Sequence, residues 1–417
     1  MKILIISYHY PPCNAVAALR PKSFADNWSV NHDVKVITRK WEGNEKIPKD
    51  YLASNEGEVI KKYVHENLEE IYLPFKKRDV TTKEVAIGLI KGNLTIDFET
   101  NQFKEFGAEL CTTWKPDIIF VTSPPINILK LGKELSDISK SKLVADFRDF
   151  ENHYIFGGVK LSFKNTIISK STIYHTHKWL NYCDLVTCVS EPFTEYFSKL
   201  NCKKVITVLN GFEKSLFDDL STEKVFNSKF EISLIGTIYD EQDPSVILEG
   251  IKLFIENKQD VFINFIGTNK GLQINDQITA ILPPSKLLIT SRIPRKDALN
   301  YMKNASILFY VGWPGYKGMY SGKIFEYLGA RKTILIAPSD NDVLDKLIEE
   351  TKSGVSVNTS NEVALFLEEK YNEWKKTGTL EYHGIEDKIM SFSRENQAKL
   401  LEQELIKLID FKESQNI

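Results

Sequence analysis

The sequence is short of the features that would assign it at once to several familiar classes of protein. Its five cysteines are few for 417 residues and are scattered, which argues against a disulfide framework and favours a reducing, cytosolic setting. Cys183 and Cys188 lie close together, but no second pair of cysteines or histidines has zinc-site spacing, so we expect no metal. The net charge of −2 gives no general attraction for nucleic acid.

Long apolar runs and one common glycine motif are absent as well. The first apolar run, residues 3–6, is too short for the core of a signal peptide, and no later run approaches the ~18 residues that span a bilayer. We therefore expect a cytoplasmic protein. No Gly-x-Gly-x-x-Gly motif follows the first strand, which disfavours an NAD-binding domain.

Short apolar segments that alternate with helical stretches dominate what the sequence does contain. This alternation predicts an α/β fold with two parallel sheets, joined by a polar linker at 212–229. Residues 41–109 are expected to form an excursion from the first sheet, with strand pieces and one or two helices. The predicted strands lie at 2–7, 34–38, 117–121, 143–147, 185–189, 205–209, 231–235, 261–266, 286–290, 307–310 and 333–336. A terminal helix is predicted at 393–410, with a buried stripe of Leu400, Leu401, Leu405, Ile406 and Leu408.

The most informative stretch is residues 319–336, where a loop leads into a short predicted helix that starts near Ser321. The backbone N–H groups of a helix start attract anions, and Gly322 lets an anion approach closely. Lys323 adds a positive charge, and Glu326 lies one turn further on the same face. A cation followed by an acceptor suits the phosphate and ribose of a nucleotide. A solvated Lys–Glu pair is the alternative, and the residues alone leave both open.

A series of short motifs follows the predicted strands. They are IISYHYPP at 5–12, NHDVKV at 31–36, PDII at 116–119, TSPP at 122–125, DFRD at 146–149, CDLVTCVS at 183–190, LNGF at 209–212 and GKIFEYL at 322–328. In this order and spacing they resemble the family 4 glycosyltransferases of the GT-B fold. The resemblance is to bacterial surface-polysaccharide enzymes of the branch with an Asp-x-Arg-Asp motif, and it is poorest over 41–109.

The resemblance implies two Rossmann-like parallel-sheet domains that face a central cleft. It assigns the acceptor to 1–210, a nucleotide-diphosphate sugar to 211–390, and to 391–417 a helix that crosses back to the first domain. The implied reaction is transfer of a hexosyl-type sugar with retention to a glycan or lipid-linked acceptor, with no metal or other cofactor. The implied donor residues are Glu326 for the ribose, Ser321, Gly322 and Lys323 for the diphosphate, and the loop of Gly236 and Thr237.

The chain departs from the family pattern at several donor positions. The first of the family's paired glutamates falls at Gly318, and the Arg and Lys that usually follow the first strand of the second domain are absent. A leaving diphosphate gains negative charge as the glycosidic bond breaks, so cations aimed at it lower the barrier. We expect this charge to be met by Lys323 together with Arg292, Arg295 or Arg148.

On the acceptor side, Arg148 of the Asp-x-Arg-Asp motif occupies the place of a histidine that many relatives carry. The resemblance implies that Arg148 is a catalytic electrostatic clamp, with Asp146 or Asp149 as its orienter or as a contact for an acceptor hydroxyl. A structural Arg–Asp pair is the alternative. The other residues expected on this side are His9, Asn14 and Ser123.

Residues 155–178 form a basic and apolar stretch. No acidic residue lies between Glu151 and Asp184, and the lysines there are Lys160, Lys164, Lys170 and Lys178. Such a stretch can lie on an anionic membrane surface, which would suit a lipid-linked acceptor at the inner face of the membrane. A core-packed helix with its lysines in solvent is the alternative.

Two other classes of function stay open. A GT-B-fold sugar-nucleotide epimerase would share the two domains and the nucleotide site. A non-catalytic GT-B subunit would fit the missing glutamate and the missing phosphate-binding residues.

Overall fold

The computed structural model describes residues 1–45, 50–76, 81, 83, 87–88, 90, 100–149, 162–218, 228–239, 241–268 and 272–413. The chain divides into two compact units. Unit 1 comprises Met1–Asn210 together with Arg394–Ile417, and unit 2 comprises Gly211–Ser393. Each unit has its own sheet and its own apolar core.

The described residues of unit 1 form an eight-stranded sheet. Its strands are β1 (Lys2–Ser7), β2 (Asp33–Arg39), β3 (Ile60–His65), β4 (Leu68–Leu73), β5 (Ile118–Ser123), β6 (Lys142–Phe147), β7 (Leu185–Cys188) and β8 (Val205–Thr207). Their order is β3-β4-β2-β1-β5-β6-β7-β8, and every neighbouring pair is parallel except β3 with β4. The chain leaves β1 toward one edge and later returns to its other side at β5. The strand order therefore reverses between β1 and β5, where open α/β sheets bind ligands.

The helices of unit 1 cover this sheet, and the last of them comes from the end of the chain. They are α1 (Leu19–Trp28), α2 (Thr100–Thr113), α3 (Ile128–Ser139), α4 (Phe163–Leu180), α5 (Glu191–Ser198) and, at the end of the chain, α13 (Arg394–Glu413). The Trp28 indole N–H donates to the Ala398 carbonyl at 3.0 Å. Leu401 and Leu405 are fully buried, whereas Leu400 and Ile406 are exposed, so the predicted stripe was wrong at those two positions.

The prediction for residues 41–109 was wrong in one main respect. β4 is part of the sheet and pairs in parallel with β2, and β3 continues the sheet as an antiparallel edge strand. β4 is buried along its whole length although it contains Glu69 and Glu70. Glu70 accepts hydrogen bonds from the hydroxyls of Tyr10 and Tyr72 at 2.9 and 2.7 Å, which compensates its burial.

Unit 2 has a six-stranded sheet in its described residues, with all neighbours parallel. The strands are β9 (Phe230–Ile235), β10 (Val261–Ile266), β11 (Leu287–Ile289), β12 (Ile307–Tyr310), β13 (Thr333–Ile336) and β14 (Gly354–Ser356). The helices are α6 (Ser245–Phe254), α7 (Leu272–Ile281), α8 (Arg295–Asn304), α9 (Gly322–Gly329), α10 (Val343–Thr351), α11 (Ser360–Thr377) and α12 (Glu386–Ser391). The order β11-β10-β9-β12-β13-β14 reverses between β9 and β12. The predicted fold class, two parallel α/β sheets, is confirmed.

The segment predicted as a polar linker is partly packed. Phe212 and Phe217 are buried, and both rings lie against α9 at Gly329, where an added Cβ would come within 2.9 Å of them. Residues 219–227 of this prediction lie outside the described residues. No helix in the described part of the chain has both the length and the apolar character needed to cross a membrane.

Candidate functional site

The start of α9 is fixed at the carboxyl end of the unit 2 sheet by two tyrosines. The Tyr327 hydroxyl accepts a hydrogen bond from the Ile235 N–H at 2.8 Å, which ties α9 to the end of β9. The Tyr310 hydroxyl donates to Ser321 Oγ at 2.8 Å. Ser321 has an extended backbone and precedes the helix, but its side chain does not cap it. The predicted helix start is therefore confirmed, and it lies where the strand order reverses.

Lys323 points from the first turn of α9 to the loop that follows β9. Its ammonium group donates to the Thr237 carbonyl and lies 5.7 and 5.5 Å from the ring centroids of Tyr239 and Tyr310. No carboxylate within the described ranges pairs with it, and burial lowers the pKa of Lys323 to about 7. About half of the full charge expected from the sequence is therefore present at neutral pH.

The loop after β9 leaves space for the Lys323 side chain at Gly236. Gly236 has a φ of +102°, which disfavours any other residue, and a Cβ there would lie 3.6 Å from Lys323 Cε. The Gly236 N–H donates to the Ile266 carbonyl at 2.7 Å and the Gly267 N–H donates to Thr290 at 3.1 Å. These two amides therefore extend the hydrogen-bonding of the sheet beyond the strand ends.

Glu326 does not pair with Lys323, so the solvated Lys–Glu alternative was wrong. Its carboxylate accepts from Arg295 Nη2 at 3.0 Å, and Arg295 Nη1 lies 3.4 Å from the Glu213 carboxylate. The structure thus brings Arg295 to the predicted ribose ligand, whereas Arg292 is exposed on the loop before α8. Gly318 takes no part through a side chain, and its N–H donates to Asp342 at 2.7 Å.

In unit 1, His9 and Arg148 meet where the strand order reverses between β1 and β5. Arg148 Nη2 lies 3.0 Å from His9 Nδ1 and donates to the Pro124 carbonyl at 2.7 Å. The Arg148 backbone N–H donates to the Ser123 carbonyl at 3.1 Å. Burial, and then the charges of Arg148 and Arg39, lower the pKa of His9 to about 3. His9 is therefore neutral at physiological pH and accepts the hydrogen bond of Arg148.

Asp146 does not orient Arg148. It is fully buried, and both its oxygens accept from Arg20, with Nη2 at 2.7 Å and Nε at 3.0 Å. Thr187 donates a third hydrogen bond at 2.5 Å. An Arg–Asp pair therefore exists at this strand end, but its arginine comes from α1 and not from the Asp-x-Arg-Asp motif. Asp149 is exposed beside Arg148.

Asn14 and Ser123 have contacts that hold loops. Asn14 Nδ2 donates to the Glu45 carbonyl at 2.6 Å, and its Oδ1 accepts from the Tyr51 hydroxyl at 2.8 Å. Ser123 is buried at the end of β5. Asn14 therefore holds a loop of unit 1, whereas Ser123 ends a strand and its carbonyl accepts the Arg148 N–H.

Comparison with known proteins adds the fold family. No protein-family model matches the chain, and no curated protein matches it. Among the solved structures that resemble this chain, three are similar over nearly the whole of both chains. Sucrose-phosphate synthase from Thermosynechococcus elongatus has a TM-score of 0.63 and 13% identity, and the match covers 98% of this chain and 99% of that one. Anabaena HepE in complex with UDP-glucose has a TM-score of 0.62 and 14% identity, with coverage of 98% and 100%, and the catalytic domain of Arabidopsis thaliana starch synthase IV bound to ADP and acarbose has a TM-score of 0.56 and 12% identity, with coverage of 98% and 99%. The chain has the GT-B fold.

The region of unit 1 around His9, where acceptor contacts are predicted, contains two residues that the sequence patterns did not indicate. The Trp41 ring stacks on the His9 ring at 5.4 Å, with 17° between the planes. The Arg39 guanidinium is buried 4.1 Å from the centroid of Trp41 and 3.8 Å from that of Phe75, and it donates to the Tyr8 hydroxyl at 2.6 Å. Arg39 ends β2 and Trp41 follows it. The rule that ligand-binding residues follow parallel strands would have found both.

Proposed function

We propose that this GT-B protein is a metal-independent, retaining glycosyltransferase of family 4, in the branch with an Asp-x-Arg-Asp motif. It moves a hexosyl-type sugar from a nucleotide-diphosphate sugar to a glycan or lipid-linked acceptor in bacterial surface polysaccharide synthesis, in the cytoplasm at the inner face of the membrane. The bond between the sugar C1 and the diphosphate oxygen breaks, and its electron pair leaves with the diphosphate. A bond from the acceptor oxygen to C1 forms on the same face, and the acceptor proton leaves with the diphosphate.

The position of Lys323 is the observation that carries this proposal. It is a half-buried lysine at a helix start, beside a glycine turn, at the reversal of strand order. A cation that is partly removed from water and has no carboxylate partner is costly, and an anionic ligand removes that cost. Its ammonium group and the first-turn amides of α9 would stabilise the charge that grows on the leaving diphosphate.

The pair of Arg295 and Glu326 extends the same site. Glu326 can accept the ribose hydroxyls from the nucleotide, and Arg295 is held beside it by a second carboxylate, Glu213, as well as by Glu326 itself. A guanidinium near the diphosphate adds a second positive group with several N–H donors for its oxygens. The two cations Lys323 and Arg295 supply the role that a metal ion has in other transferases.

Arg148 is the residue that we assign to the acceptor side. Neutral His9 and the Pro124 carbonyl hold its guanidinium, so Arg148 keeps its charge and a fixed direction. A fixed cation at a strand end can stabilise charge in the transition state without reorganisation. Asp149 is exposed beside it and can contact an acceptor hydroxyl. The similarity to a structure that contains UDP-glucose, Anabaena HepE, supports a nucleotide-sugar donor.

The test combines binding and turnover. The full chain is screened by thermal shift against UDP-glucose and GDP-mannose, alongside Lys323→Met and a control, Lys317→Met. Lys317 is an exposed lysine six positions earlier, on the loop before α9. We expect one donor to raise the melting temperature of the wild type and of the control, and to have no effect on Lys323→Met. A ligand at a hundred times its dissociation constant adds about 2.7 kcal/mol of stability.

Transfer from the donor that binds is then measured with a bacterial lipid extract as acceptor, and the anomeric configuration of the product is read by NMR. A retained configuration supports the proposal. A donor that is converted without any acceptor would favour the epimerase. No shift with any donor and no transfer would favour the non-catalytic subunit.

A further inference from the structure

Helix α4 has an unusual distribution of side chains. Its inward-facing, buried residues are mainly small and polar, namely Ser169, Thr172, His175 and Thr176, with Leu180 at the end. Three of its large apolar side chains point away from the protein: Phe163 is 84% exposed, Ile167 43% and Tyr174 65%. Ile168, Ile173 and Trp179 are half-buried. A surface helix of a globular protein normally buries its apolar residues and exposes its polar ones, and in α4 this pattern is partly inverted.

The exposed residues share a single face. Phe163, Ile167, Lys170, Tyr174 and Lys178 are separated by four, three, four and four residues, and both lysines are exposed. At ~100° per residue these side chains fall within an arc of about 80°. The face is about 22 Å long. Lys160, Ile155 and Phe156 of the predicted basic stretch lie outside the described residues, as does the side chain of Lys164.

The charges along α4 and its flanking sequence have one sign. No acidic residue occurs in the sequence between Glu151 and Asp184, in a chain whose net charge is −2. An apolar stripe flanked by lysines matches a bilayer surface, because apolar side chains enter the interface while ammonium groups meet anionic headgroups. Each lysine near an anionic bilayer strengthens binding about fivefold.

We propose that the exposed face of α4 lies on a membrane surface that contains anionic phospholipid. Phe163, Ile167 and Tyr174 enter the interface, and Lys170 and Lys178 contact the headgroups. For the transferase proposed above, this face of α4 is the surface that meets a membrane with a lipid-linked acceptor. Only this role in reaching the acceptor rests on the proposed function. The contact itself depends on unit 1 alone.

The experiment is co-sedimentation of the full chain with vesicles of phosphatidylcholine, with or without phosphatidylglycerol. One variant, Lys170→Glu/Lys178→Glu, reverses the charge at both positions, and another, Phe163→Ser/Ile167→Ser/Tyr174→Ser, removes the apolar groups. The control, Leu365→Ser/Lys376→Glu, changes an exposed leucine and an exposed lysine on α11 of unit 2. All these positions are exposed, and the melting temperature of each variant checks its fold.

We expect the wild type and the α11 control to bind vesicles with phosphatidylglycerol, and to bind less as salt is added. The charge variant should bind at least ~25-fold more weakly, from two lysines at about fivefold each. The apolar variant should also lose binding. Equal binding by the wild type and both α4 variants would overturn the proposal. So would a wild type that binds no vesicles and forms a dimer that the apolar variant abolishes, since the face would then bind a second copy. Donor-induced thermal shifts in the α4 variants keep this result separate from the proposed function.

Discussion

Lys323 should make donor binding depend on pH in a specific way. Its pKa of about 7 in the free protein comes from burial. A bound diphosphate stabilises the protonated form and raises this pKa, so binding at higher pH must take up a proton. UDP-glucose is a suitable probe if it binds, because its diphosphate diester keeps the same charge between pH 6 and 8.

The magnitude follows from the fraction of Lys323 that carries its proton before binding. This fraction is about 90% at pH 6 and about 10% at pH 8 for a pKa near 7, so the dissociation constant should rise about tenfold between them. Affinity should be level below pH 6, where the free lysine is already protonated. The stability of the free protein should change with pH in the opposite direction to donor affinity. Its free energy of unfolding rises with pH from about 7 toward the ordinary lysine pKa of about 10.4, because in this range the unfolded chain binds more protons than the folded one.

Isothermal titration calorimetry in two buffers with different ionisation enthalpies measures the dissociation constant and the number of protons taken up on binding. At pH 8 we expect an uptake close to one proton per site, and in Lys323→Met we expect weak binding with no uptake. His9 does not titrate in this range, because its pKa is about 3. Equal affinity at pH 6 and pH 8, with no proton taken up at pH 8, would refute the assignment of Lys323 to the diphosphate.

Three other substitutions test the remaining parts of the structure. Arg20→Met should lower the free energy of unfolding by about 3–5 kcal/mol, because it leaves Asp146 buried without its cation, and Asp146→Asn in the same chain should recover part of this loss in denaturant titrations. Leu401→Ala should cost about 2–5 kcal/mol, while Leu400→Ala, its exposed neighbour, should stay within about 0.5 kcal/mol. Arg148→Met should lower kcat by on the order of 10²–10³-fold while the donor-induced thermal shift is unchanged.

Each of these has a result that would count against it. A stable Arg20→Met variant would mean that water or another group compensates the burial of Asp146. Equal losses at Leu400 and Leu401 would mean that α13 packs through a different face. Arg148→Met with normal kcat and a weaker donor shift would move Arg148 from the acceptor side to the donor side.

The strands and the start of α9 were predictable because each follows from a local pattern. Short, continuous apolar segments such as those in β1 and β13 are typical of buried parallel strands. β4 was missed because Glu69 and Glu70 interrupt its apolar pattern. Their partners, Lys35 and Tyr10, are distant in the sequence, and no local pattern shows that they compensate the burial.

The site residues also include some features that a local sequence pattern predicts and others that depend on residues distant in the sequence. Residue types and spacing indicated that Lys323 and Glu326 lie on one helix turn, but burial decides the charge of Lys323, and burial depends on the whole of unit 2. Asp146 and Arg148 are neighbours in sequence, which suggested a pair. Asp146 is instead paired with Arg20, which is 126 residues away, and Arg148 with His9, which is 139 residues away.

The return of α13 to unit 1 has a consequence for biosynthesis. Unit 1 is built from both ends of the chain, whereas unit 2 is one continuous segment. On the ribosome, unit 2 can therefore complete its fold as soon as it emerges, but unit 1 must wait until α13 has emerged as well. Until then the surface around Trp28 that α13 will cover stays open to water and to chaperones. A stop codon shortly before residue 394 would leave unit 2 intact, whereas unit 1 would lack α13 and its core around Trp28 would remain exposed.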